Sequence, residues 1–253
     1  MIGQSLEGGW AGRAKIITKL SPLQDCQKDA SISTLHAFVD ASIYQSCSAL
    51  RVQKIDVLML HRVSHLSDWN GCVWNRLLEL QSSGEIIELG ASVQNSVELL
   101  KVLSVPEINY IQLPLNLLDW RWDSIIPEIL ATKASRKLII HVRSALLQGL
   151  LPSMDEEHWL RANVEQAFSV RDWLLAQVIS CQRVNIADLC LGYINALDWV
   201  DGIAIGMDNM SQLIENINYL NFLPLSADQV EDIQNSRPKL VEASLNPALW
   251  RKV

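Results

Sequence analysis

Two polar residues that can do chemistry stand at the ends of two short apolar runs. Lys19 ends the run 14–19, and His61 ends the run 55–61. Apolar runs of this length fit strands buried on both faces, as in a parallel sheet. Because functional groups are commonly placed at the carboxyl ends of such strands, we expect the ammonium and the imidazole to lie at the same end of the sheet, in one site. A histidine placed there can donate a proton.

Each of these residues also has an ordinary structural explanation. A lysine at a strand end can lay its stem along apolar surface and keep its ammonium in water. A histidine after a strand can be a hydrogen-bonded core residue. Position alone favours the structural explanation for Lys19 and His61, so the rest of the chain must decide. We expect another histidine, His65, to be structural or to lie at the surface.

The chain alternates predicted strands with predicted helices. Apolar runs predict strands at 14–19, 55–60, 86–91, 108–113, 137–142 and 202–205. Apolar residues at helical spacing predict helices at 31–50, 69–83, 96–103, 124–132, 164–181, 186–196, 210–220 and 227–235. The remaining segments are a helix tail at 1–6 ended by Gly8 and Gly9, a less regular stretch at 146–158, and a tail at 237–253.

This alternation predicts an α/β protein with a parallel sheet. No shift in composition marks a linker, so we expect residues 1–253 to form a single domain with a C-terminal tail at 237–253. No G-x-G-x-x-G sequence follows the first strand, which disfavours a doubly wound sheet. The pattern resembles a (β/α)8 barrel of the TIM type, incomplete, with about six of the eight parallel strands.

Composition excludes several classes of partner. The 253 residues are 49% hydrophobic and carry a net charge of −7, without a basic cluster for nucleic acid. No apolar run of about 18 residues predicts a membrane span, and residues 1–10 lack the features of a signal peptide. The five cysteines are odd in number and have no C-x-x-C spacing. We therefore expect neither disulfides nor a zinc site, and a cytoplasmic location.

Six stretches, in the correct order, resemble motifs of the aldo-keto reductase superfamily. Each motif alone is weak, but six in order over nearly the whole chain are a specific signal. The stretches are 16–20, 55–62, 74–92, 111–119, 143–151 and 205–216, which include I-I-T-K-L, I-D-V-L-M-L-H-R, G-A-S, I-Q-L-P-L-N-L-L-D and R-S-A-L-L-Q-G-L-L.

The resemblance implies a (β/α)8 barrel and hydride transfer between a nicotinamide cofactor, NADP or NAD, and a small carbonyl or alcohol substrate. In that family a tyrosine donates the proton, a lysine lowers its pKa, an aspartate orients the lysine and a histidine positions the substrate. Lys19 and His61 match the last strand positions of the lysine and histidine motifs. They are therefore the predicted catalytic residues.

The resemblance also implies a set of cofactor-binding residues. They are Ser92, Gln112, Arg143, Ser144, Leu146, Gln148, Gly206, Gln212, Glu215 and Asn216. Ser144, Leu146 and Gln148 would contact the phosphates, although the same residues also fit an ordinary strand-to-loop turn. Gln212 and Asn216, four residues apart on one helix face, would meet the adenosine, although that face could equally be solvated.

Two departures bear on the cofactor. Arg143 aligns with an aromatic residue that often stacks on the nicotinamide in the family. A guanidinium is planar and can also stack, but it puts positive charge beside a ring that is cationic when oxidised. Gln212 stands where an arginine often meets the 2′-phosphate of NADP, and Asp208 nearby is acidic. These residues favour NAD or no strong preference, and the choice stays open.

The family's aspartate and tyrosine lie upstream of its lysine, but the eighteen residues before Lys19 contain no tyrosine and one acid, Glu7. We therefore expect the first two strands and the first helix of the barrel to be missing. Either Met1 is an internal methionine of a longer protein or the gene is a decayed relative, and the well-kept later motifs favour the first. Two open sheet edges would then allow oligomers to form.

Two function classes follow. The first is an aldo-keto-reductase-like oxidoreductase, impaired in this chain because the aspartate and tyrosine are absent. The alternative is a non-catalytic nucleotide-binding or regulatory module on the same barrel. A metal-dependent barrel enzyme is a weaker candidate, since no histidine and carboxylate cluster has ligand spacing. For the chain as it stands we predict turnover near background and weak cofactor affinity.

Overall fold

A computed structural model describes residues 2–5, 14–27 and 29–251. The chain divides into two compact units. We call Met1–Gln112 with Ala131–Ile139 unit 1, and Leu113–Leu130 with Ile140–Val253 unit 2. The assignment of residues 1–253 to a single domain stays a prediction.

Strands and helices alternate along both units. The six strands are β1 Ile17–Lys19, β2 Ile55–Leu60, β3 Ile86–Ser92, β4 Ile108–Pro114, β5 Ile139–Arg143 and β6 Gly202–Ile203. The helices are α1 Ile2–Ser5, α2 Ile32–Leu50, α3 Cys72–Ser82, α4 Ser96–Leu103, α5 Ile126–Ser135, α6 Glu156–Arg161, α7 Ala167–Ser180, α8 Ile186–Asn195, α9 Met210–Leu220, α10 Ala227–Ser236 and α11 Glu242–Leu245. Short 3-10 helices cover Val63–Leu66, Asp68–Gly71, Trp120–Ile125 and Pro247–Leu249.

In unit 1 the strands β1, β2, β3 and β4 pair in chain order, and every pair is parallel. The register places Lys19 beside Met59, Met59 beside Gly90, and Gly90 beside Tyr110. Met59, Val57 and Tyr110 form an apolar cluster on one face of this sheet, to which Ile17 and Ile139 add partly buried side chains. Side chains alternate between the two faces of a strand, so Lys19 shares the face of Ile17.

In unit 2, β5 and β6 pair in parallel, with His141 beside Gly202 and Val142 beside Ile203. The helix α8 is buried along most of its length. Asp119 is also buried and accepts hydrogen bonds from the Arg121 guanidinium, at 2.8 Å from Nε and 2.6 Å from Nη2. This pairing neutralises the Asp119 carboxylate, because burying an unpaired charge is strongly unfavourable in free energy.

A serine or asparagine side chain caps the start of five described α-helices. In each case a serine or asparagine oxygen accepts a hydrogen bond from the backbone N–H three residues later, which satisfies a donor that the helix leaves free. The caps are Ser31 of α2, Asn95 of α4, Asn185 of α8, Asn209 of α9 and Ser226 of α10.

Several predicted elements match the structure closely, and others need correction. The strand 55–60 and the helices 96–103 and 210–220 are confirmed with unchanged bounds. The helix predicted at 69–83 begins only at Cys72, because Trp69, Asn70 and Gly71 have φ values of 49°, 53° and 78°. Left-handed residues of this kind cannot continue a right-handed helix.

Other elements also differ from their predicted bounds. Of the strand predicted at 14–19, only Ile17–Lys19 is paired. The stretch 146–158, predicted as irregular, contains the start of α6, and the tail contains α11. The helix predicted at 124–132 is preceded by a 3-10 helix and extends to Ser135. The predicted helix end at Gly8 and Gly9, and the acid Glu7, lie outside the described residues.

The fold class is confirmed. Six parallel strands alternate with helices, as in an incomplete (β/α)8 barrel. Among the helices of the described ranges, none combines the length and the apolar character that crossing a membrane requires.

Candidate functional site

The two predicted catalytic residues lie at the carboxyl ends of neighbouring strands in unit 1. Lys19 is the last residue of β1 and pairs with Met59, and His61 directly follows the last residue of β2. The backbone N–H of Leu20 donates to the Met59 carbonyl at 2.9 Å, which extends this pairing beyond the strand. Lys19 is half-buried and His61 is exposed. The register thus puts both residues at the same edge of the sheet.

Ser92 and Gln112 pair with each other at the carboxyl ends of the next two strands, β3 and β4. Ser92 is buried, and the Gln112 side-chain carbonyl is buried without a hydrogen-bond partner among the described residues. A buried acceptor left unsatisfied costs about 1–3 kcal/mol. This edge of the sheet therefore offers an amide acceptor that a ligand's N–H group can satisfy.

The opposite end of the same face is occupied by a polar network. Lys15 Nζ, before the start of β1, donates to the Tyr110 hydroxyl at 2.6 Å, and this hydrogen bond raises the pKa of Lys15. Glu88 accepts from Asn109 Nδ2 at 2.8 Å and forms an ion pair with Lys137. The Tyr110 hydroxyl is therefore engaged at the amino ends of the strands.

The two tyrosines of unit 1 lie in different surroundings. Tyr110 bonds to Lys15, and Tyr44 lies on α2 with 75% of its surface exposed. Among the residues that the structure describes in this unit, the carboxyl ends of β1 and β2 carry a lysine and a histidine without a tyrosine.

A cavity of about 500 Å³ opens among the loops that follow β1 and β2. We call it the unit 1 cavity, and it is lined by Pro22, Leu23, Gln24, Cys26, Arg62, His65, Asp68 and Trp69. His65 is 1% exposed, and its burial lowers the pKa of the imidazole. The charges of Asp68, Arg62 and His61 also act on this pKa, so all three groups lie near His65.

His65 is the residue that sequence reasoning missed at this site. We expected His65 to be structural or to lie at the surface, and the structure shows that it is buried and forms part of a cavity wall. Its side chain is hydrogen-bonded to the Pro22 carbonyl, whereas Nδ1 has no partner among the described residues. The spacing of four residues from His61 was the available signal, but it did not reveal the loop geometry.

Unit 2 holds a second cavity, of about 620 Å³, which we call the unit 2 cavity. All eight cofactor residues predicted in this unit line it, and they are Arg143, Ser144, Leu146, Gln148, Gly206, Gln212, Glu215 and Asn216. Ala145, Gly149, Pro152, Ala187, Ala204, Ile205, Asp208 and Tyr219 complete the wall. The structure places these residues together, while their binding of a cofactor stays a prediction.

The loop after β5 shapes one wall of the unit 2 cavity. Ser144, Leu147, Gln148 and Gly149 have φ values of 65°, 47°, 55° and 77°. Backbone stretches that include left-handed residues can form anion-binding concavities. Within the loop the Leu147 N–H donates to the Ser144 carbonyl at 2.8 Å. Three non-glycine residues in this conformation within one loop are uncommon, and no pattern in the sequence predicted them.

The charges of the unit 2 cavity are mixed. Arg143 is its cationic residue, and burial, followed by the neighbouring Arg121 charge, lowers the pKa of the Arg143 guanidinium. Asp208 and Glu215 contribute carboxylates. The backbone N–H of Asp208 donates to the Gln212 side chain at 2.8 Å, which fixes the start of α9 beside the cavity. A half-buried guanidinium in this position suits an anionic ligand.

In the described ranges, no three histidine, cysteine, aspartate or glutamate side chains are grouped so that they could hold a metal ion.

Comparison with known proteins gives a family and several solved structures. A family model described as "Aldo/keto reductase family" matches residues 1–237. No curated protein matches the chain. Solved structures at low identity share the fold.

One of these structures is the aldo-keto reductase AKR11C1 from Bacillus halodurans, in its holo form, with a TM-score of 0.74 and 20% identity over 95% of this chain and 77% of that one. Another is the glycerol dehydrogenase AKR11B4 from Gluconobacter oxydans, with a TM-score of 0.69 and 18% identity over 95% and 77% of the two chains. A third is an aldo/keto reductase from Klebsiella pneumoniae in complex with NADP and acetate, with a TM-score of 0.68 and 14% identity over 94% and 74%.

Proposed function

Because this chain belongs to the aldo/keto reductase family, we propose that it is an oxidoreductase acting on a small carbonyl or alcohol substrate with a nicotinamide cofactor, NADP or NAD. The observation that carries the proposal is the register of unit 1. It places Lys19 and His61 at the carboxyl ends of β1 and β2, at one edge of a parallel sheet. Catalytic groups of barrel enzymes occupy that edge.

The unit 2 cavity fits the phosphate and adenosine part of the cofactor. The wall contains the left-handed residues Ser144 and Gln148 and the Arg143 guanidinium, and this combination suits a diphosphate. We assign Gln212, Glu215 and Asn216 to the adenosine, because they line the same cavity from α9. The Klebsiella pneumoniae enzyme, which has the same fold, is in complex with NADP.

At the strand ends of unit 1, Ser92 and Gln112 stay predicted cofactor-binding residues. The Gln112 side-chain carbonyl lacks a partner among the described residues, and a carboxamide N–H would satisfy it. When bound, the cofactor supplies or accepts the hydride. Lys19 stabilises negative charge on the substrate oxygen through its ammonium, and His61 presents an imidazole N–H to the same oxygen.

The proton donor limits the rate in this chain. Lys19 and His61 stand at the carboxyl ends of β1 and β2, and we assign the role of proton donor to His61, whose imidazole can donate a proton. We therefore propose that residues 1–253 alone turn over carbonyl substrates near background and bind the cofactor weakly. A reaction that lacks a matched general acid loses about 10²–10⁴-fold in rate.

Titration of the chain with NADPH and with NADH, followed by nucleotide fluorescence, tests the binding part. We expect saturable binding weaker than micromolar, weakened further in Gln112→Leu and in Arg143→Gln. The exposed Lys54, at the amino end of β2, provides the control variant Lys54→Gln, which should bind as the wild type does. Absence of saturable binding by both cofactors would refute the proposal, and micromolar or tighter binding would refute the predicted weakness.

A second candidate is a non-catalytic nucleotide-binding or regulatory module. The observation that favours it is the Tyr110 hydroxyl, which is bonded to Lys15 at the amino ends of the strands. Single-turnover experiments with excess protein, NADPH and a reactive aldehyde separate the two candidates. Slow cofactor oxidation that disappears in Lys19→Met and His61→Gln supports the enzyme. Bound cofactor that is never oxidised supports the module.

We also propose a cytoplasmic location, supported by the five free cysteines, since thiols persist in reducing compartments. We also propose that copies of this chain associate through the edges of their sheets. Sedimentation of the purified chain over a concentration series tests it, and a monomer at every concentration would refute the association.

A further inference from the structure

The helix α7 of unit 2 is apolar on two opposite faces. Its inner face is formed by four buried residues, which are Ala167, Val170, Leu174 and Val178. On the outer face Phe168, Leu175 and Ile179 lie in line, seven and four residues apart, and all three are exposed. We call these three residues the outer stripe. Because a helix that is hydrophobic all round is usually buried, we expect the outer stripe to be covered in solution.

The outer stripe exposes a large apolar area. Phe168, Leu175 and Ile179 are 72%, 45% and 79% exposed. Met154, which is 64% exposed, lies beside them, because its sulfur accepts a hydrogen bond from Arg171 Nη2 of α7 at 3.2 Å. At about 150–250 Å² for a large side chain, these four fractions amount to roughly 500 Å². A standard interface buries about 800 Å² on each partner, of which about 60% is non-polar. The surface at α7 therefore supplies the apolar share of such an interface.

Arg171 and Asp172 flank the outer stripe with opposite charges. Neither residue takes part in an ion pair among the described residues. Arg171 Nε is buried without a hydrogen-bond partner among those residues, and Asp172 is exposed. The two charges cancel, although the whole chain carries a net charge of −7. A second copy of the chain can therefore approach this face without like-charge repulsion.

The outer stripe and its flanking charges have a symmetric arrangement along α7. The large side chains of Phe168 and Ile179 stand at the two ends of the stripe. Asp172 and Leu175 lie closer together, on either side of the same midpoint in the sequence. A second α7 running antiparallel would place Ile179 of the partner subunit against Phe168. Asp172 of the partner subunit would then lie about one turn along the helix from Arg171, within reach of the long guanidinium side chain.

From these observations we propose that α7 forms a two-fold dimer interface, in which the outer stripes of two copies of this chain pack antiparallel. Burial of the outer stripe stabilises the dimer, and Arg171 of each copy pairs with Asp172 of the partner subunit. Two-fold interfaces use the same patch on both subunits, and the symmetric arrangement of this stripe meets that requirement. The interface lies on a helix face and involves no pairing of sheet edges. It does not rest on the proposed oxidoreductase activity.

Sedimentation equilibrium of the whole chain tests the interface. We expect a monomer–dimer equilibrium whose Kd rises at least about tenfold in Ile179→Glu, because a carboxylate then replaces a buried apolar side chain in both copies. Val97→Glu on α4 and Ile217→Glu on α9 change exposed apolar residues of other helices, and both controls should leave the Kd unchanged. Circular dichroism and the Tm of each variant show whether it is folded.

Charge reversal and cross-linking test the antiparallel register. Asp172→Arg should weaken the dimer, and the double variant Arg171→Glu with Asp172→Arg should restore much of the affinity. On mild oxidation, a mixture of Phe168→Cys and Ile179→Cys chains should cross-link between the two new thiols. Phe168→Cys chains alone should not cross-link at that position, because the two copies of the residue lie about 16 Å apart along the helices. Mass spectrometry of the linked peptides excludes bonds through the five native cysteines.

Each contrary result is distinct. A monomer at every concentration would overturn the proposal. A dimer with an unchanged Kd in Ile179→Glu would also overturn it, and loss of that dimer in Ile217→Glu would place the contact on α9. Cross-linking of Phe168→Cys chains to each other at that position would overturn the antiparallel register. None of these results bears on cofactor binding, so the proposed function would stand or fall separately.

Discussion

The predicted catalytic residues of unit 1 and the unit 2 cavity are positioned in different ways. In unit 1 the candidate catalytic residues end paired strands, so the register of β1 and β2 decides where Lys19 and His61 lie. In unit 2 the cavity wall is a loop with left-handed residues and the start of α9. Strand ends are set by regular hydrogen bonding, whereas the loop requires uncommon backbone conformations. Substitutions in the two regions should therefore change stability or binding for different physical reasons.

The largest expected contrast concerns ion pairs. Asp119 of unit 2 has no exposed side-chain surface and pairs with Arg121, which is 12% exposed. Asp119→Ala leaves a buried guanidinium uncompensated, so we expect a loss of about 3–5 kcal/mol in the free energy of unfolding. In unit 1, Asp40 is 44% exposed beside Arg76, and Asp40→Ala should cost at most about 1 kcal/mol. Urea unfolding measures both, and equal losses would contradict the contrast.

A smaller contrast concerns glycines. A Cβ at Gly90, in β3 of unit 1, would lie 2.6 Å from the Tyr110 carbonyl oxygen and 2.9 Å from the Tyr110 Cβ. Gly90→Ala should therefore cost about 1–3 kcal/mol, or more if the strands cannot move apart. Gly149, in the unit 2 loop, has open space around it but a φ of 77°. Gly149→Ala should cost about 1 kcal/mol through backbone strain alone.

Thermal and urea unfolding of the two glycine variants separate these causes. Gly90→Ser should be at least as destabilising as Gly90→Ala, because the obstruction is steric. Gly149→Asn should recover much of the loss of Gly149→Ala, because asparagine tolerates left-handed conformations. If Gly149→Asn is no more stable than Gly149→Ala, the left-handed conformation is not the cause of the lost stability.

The third contrast concerns the nucleotide. If the unit 2 cavity holds the adenosine and the phosphates, Arg143→Gln should weaken ADP binding about tenfold, or about 1.4 kcal/mol. Gln112→Leu, in unit 1, should leave ADP affinity unchanged while weakening NADPH. Calorimetry with ADP and with NADPH checks both expectations. Loss of ADP binding in Gln112→Leu would contradict the separate assignments.

The smallest expected effect is a pH dependence from unit 1. Burial holds the pKa of His65 below its usual value near 6.5. Above that pH both folded and unfolded chains carry a neutral imidazole, and the stability is fully present. As the pH falls through about 6.5 towards the folded pKa, the unfolded chain binds the proton first. The free energy of unfolding then declines, by at most about 1.4 kcal/mol per pH unit.

Comparing urea unfolding of the wild type and of His65→Gln from pH 8 to pH 5 checks this effect. The wild type should lose more stability on acidification than the variant, whose amide does not titrate. Parallel curves for the two proteins would mean that His65 contributes nothing to the pH dependence.

Local patterns predicted much of the fold. The run 55–60 is a strand because its residues are almost all buried, and 96–103 and 210–220 are helices because asparagine caps precede amphipathic segments. These signals lie within a few residues of each other. The late start of α3 at Cys72 could not be predicted in this way, because tertiary contacts hold Trp69 and Asn70 at positive φ.

By itself the sequence determined the alternation of strands and helices, the family, and the identity of Lys19 and His61 as strand-end residues. Apolar periodicity and motif order are properties of neighbouring residues, so they can be read along the chain. Only the tertiary structure decided that His65, Arg62 and Trp69 surround one cavity and that the Ser144 loop turns left-handed. Those arrangements depend on contacts between distant segments. The packing that offsets the backbone strain there leaves no pattern among neighbouring residues of the sequence.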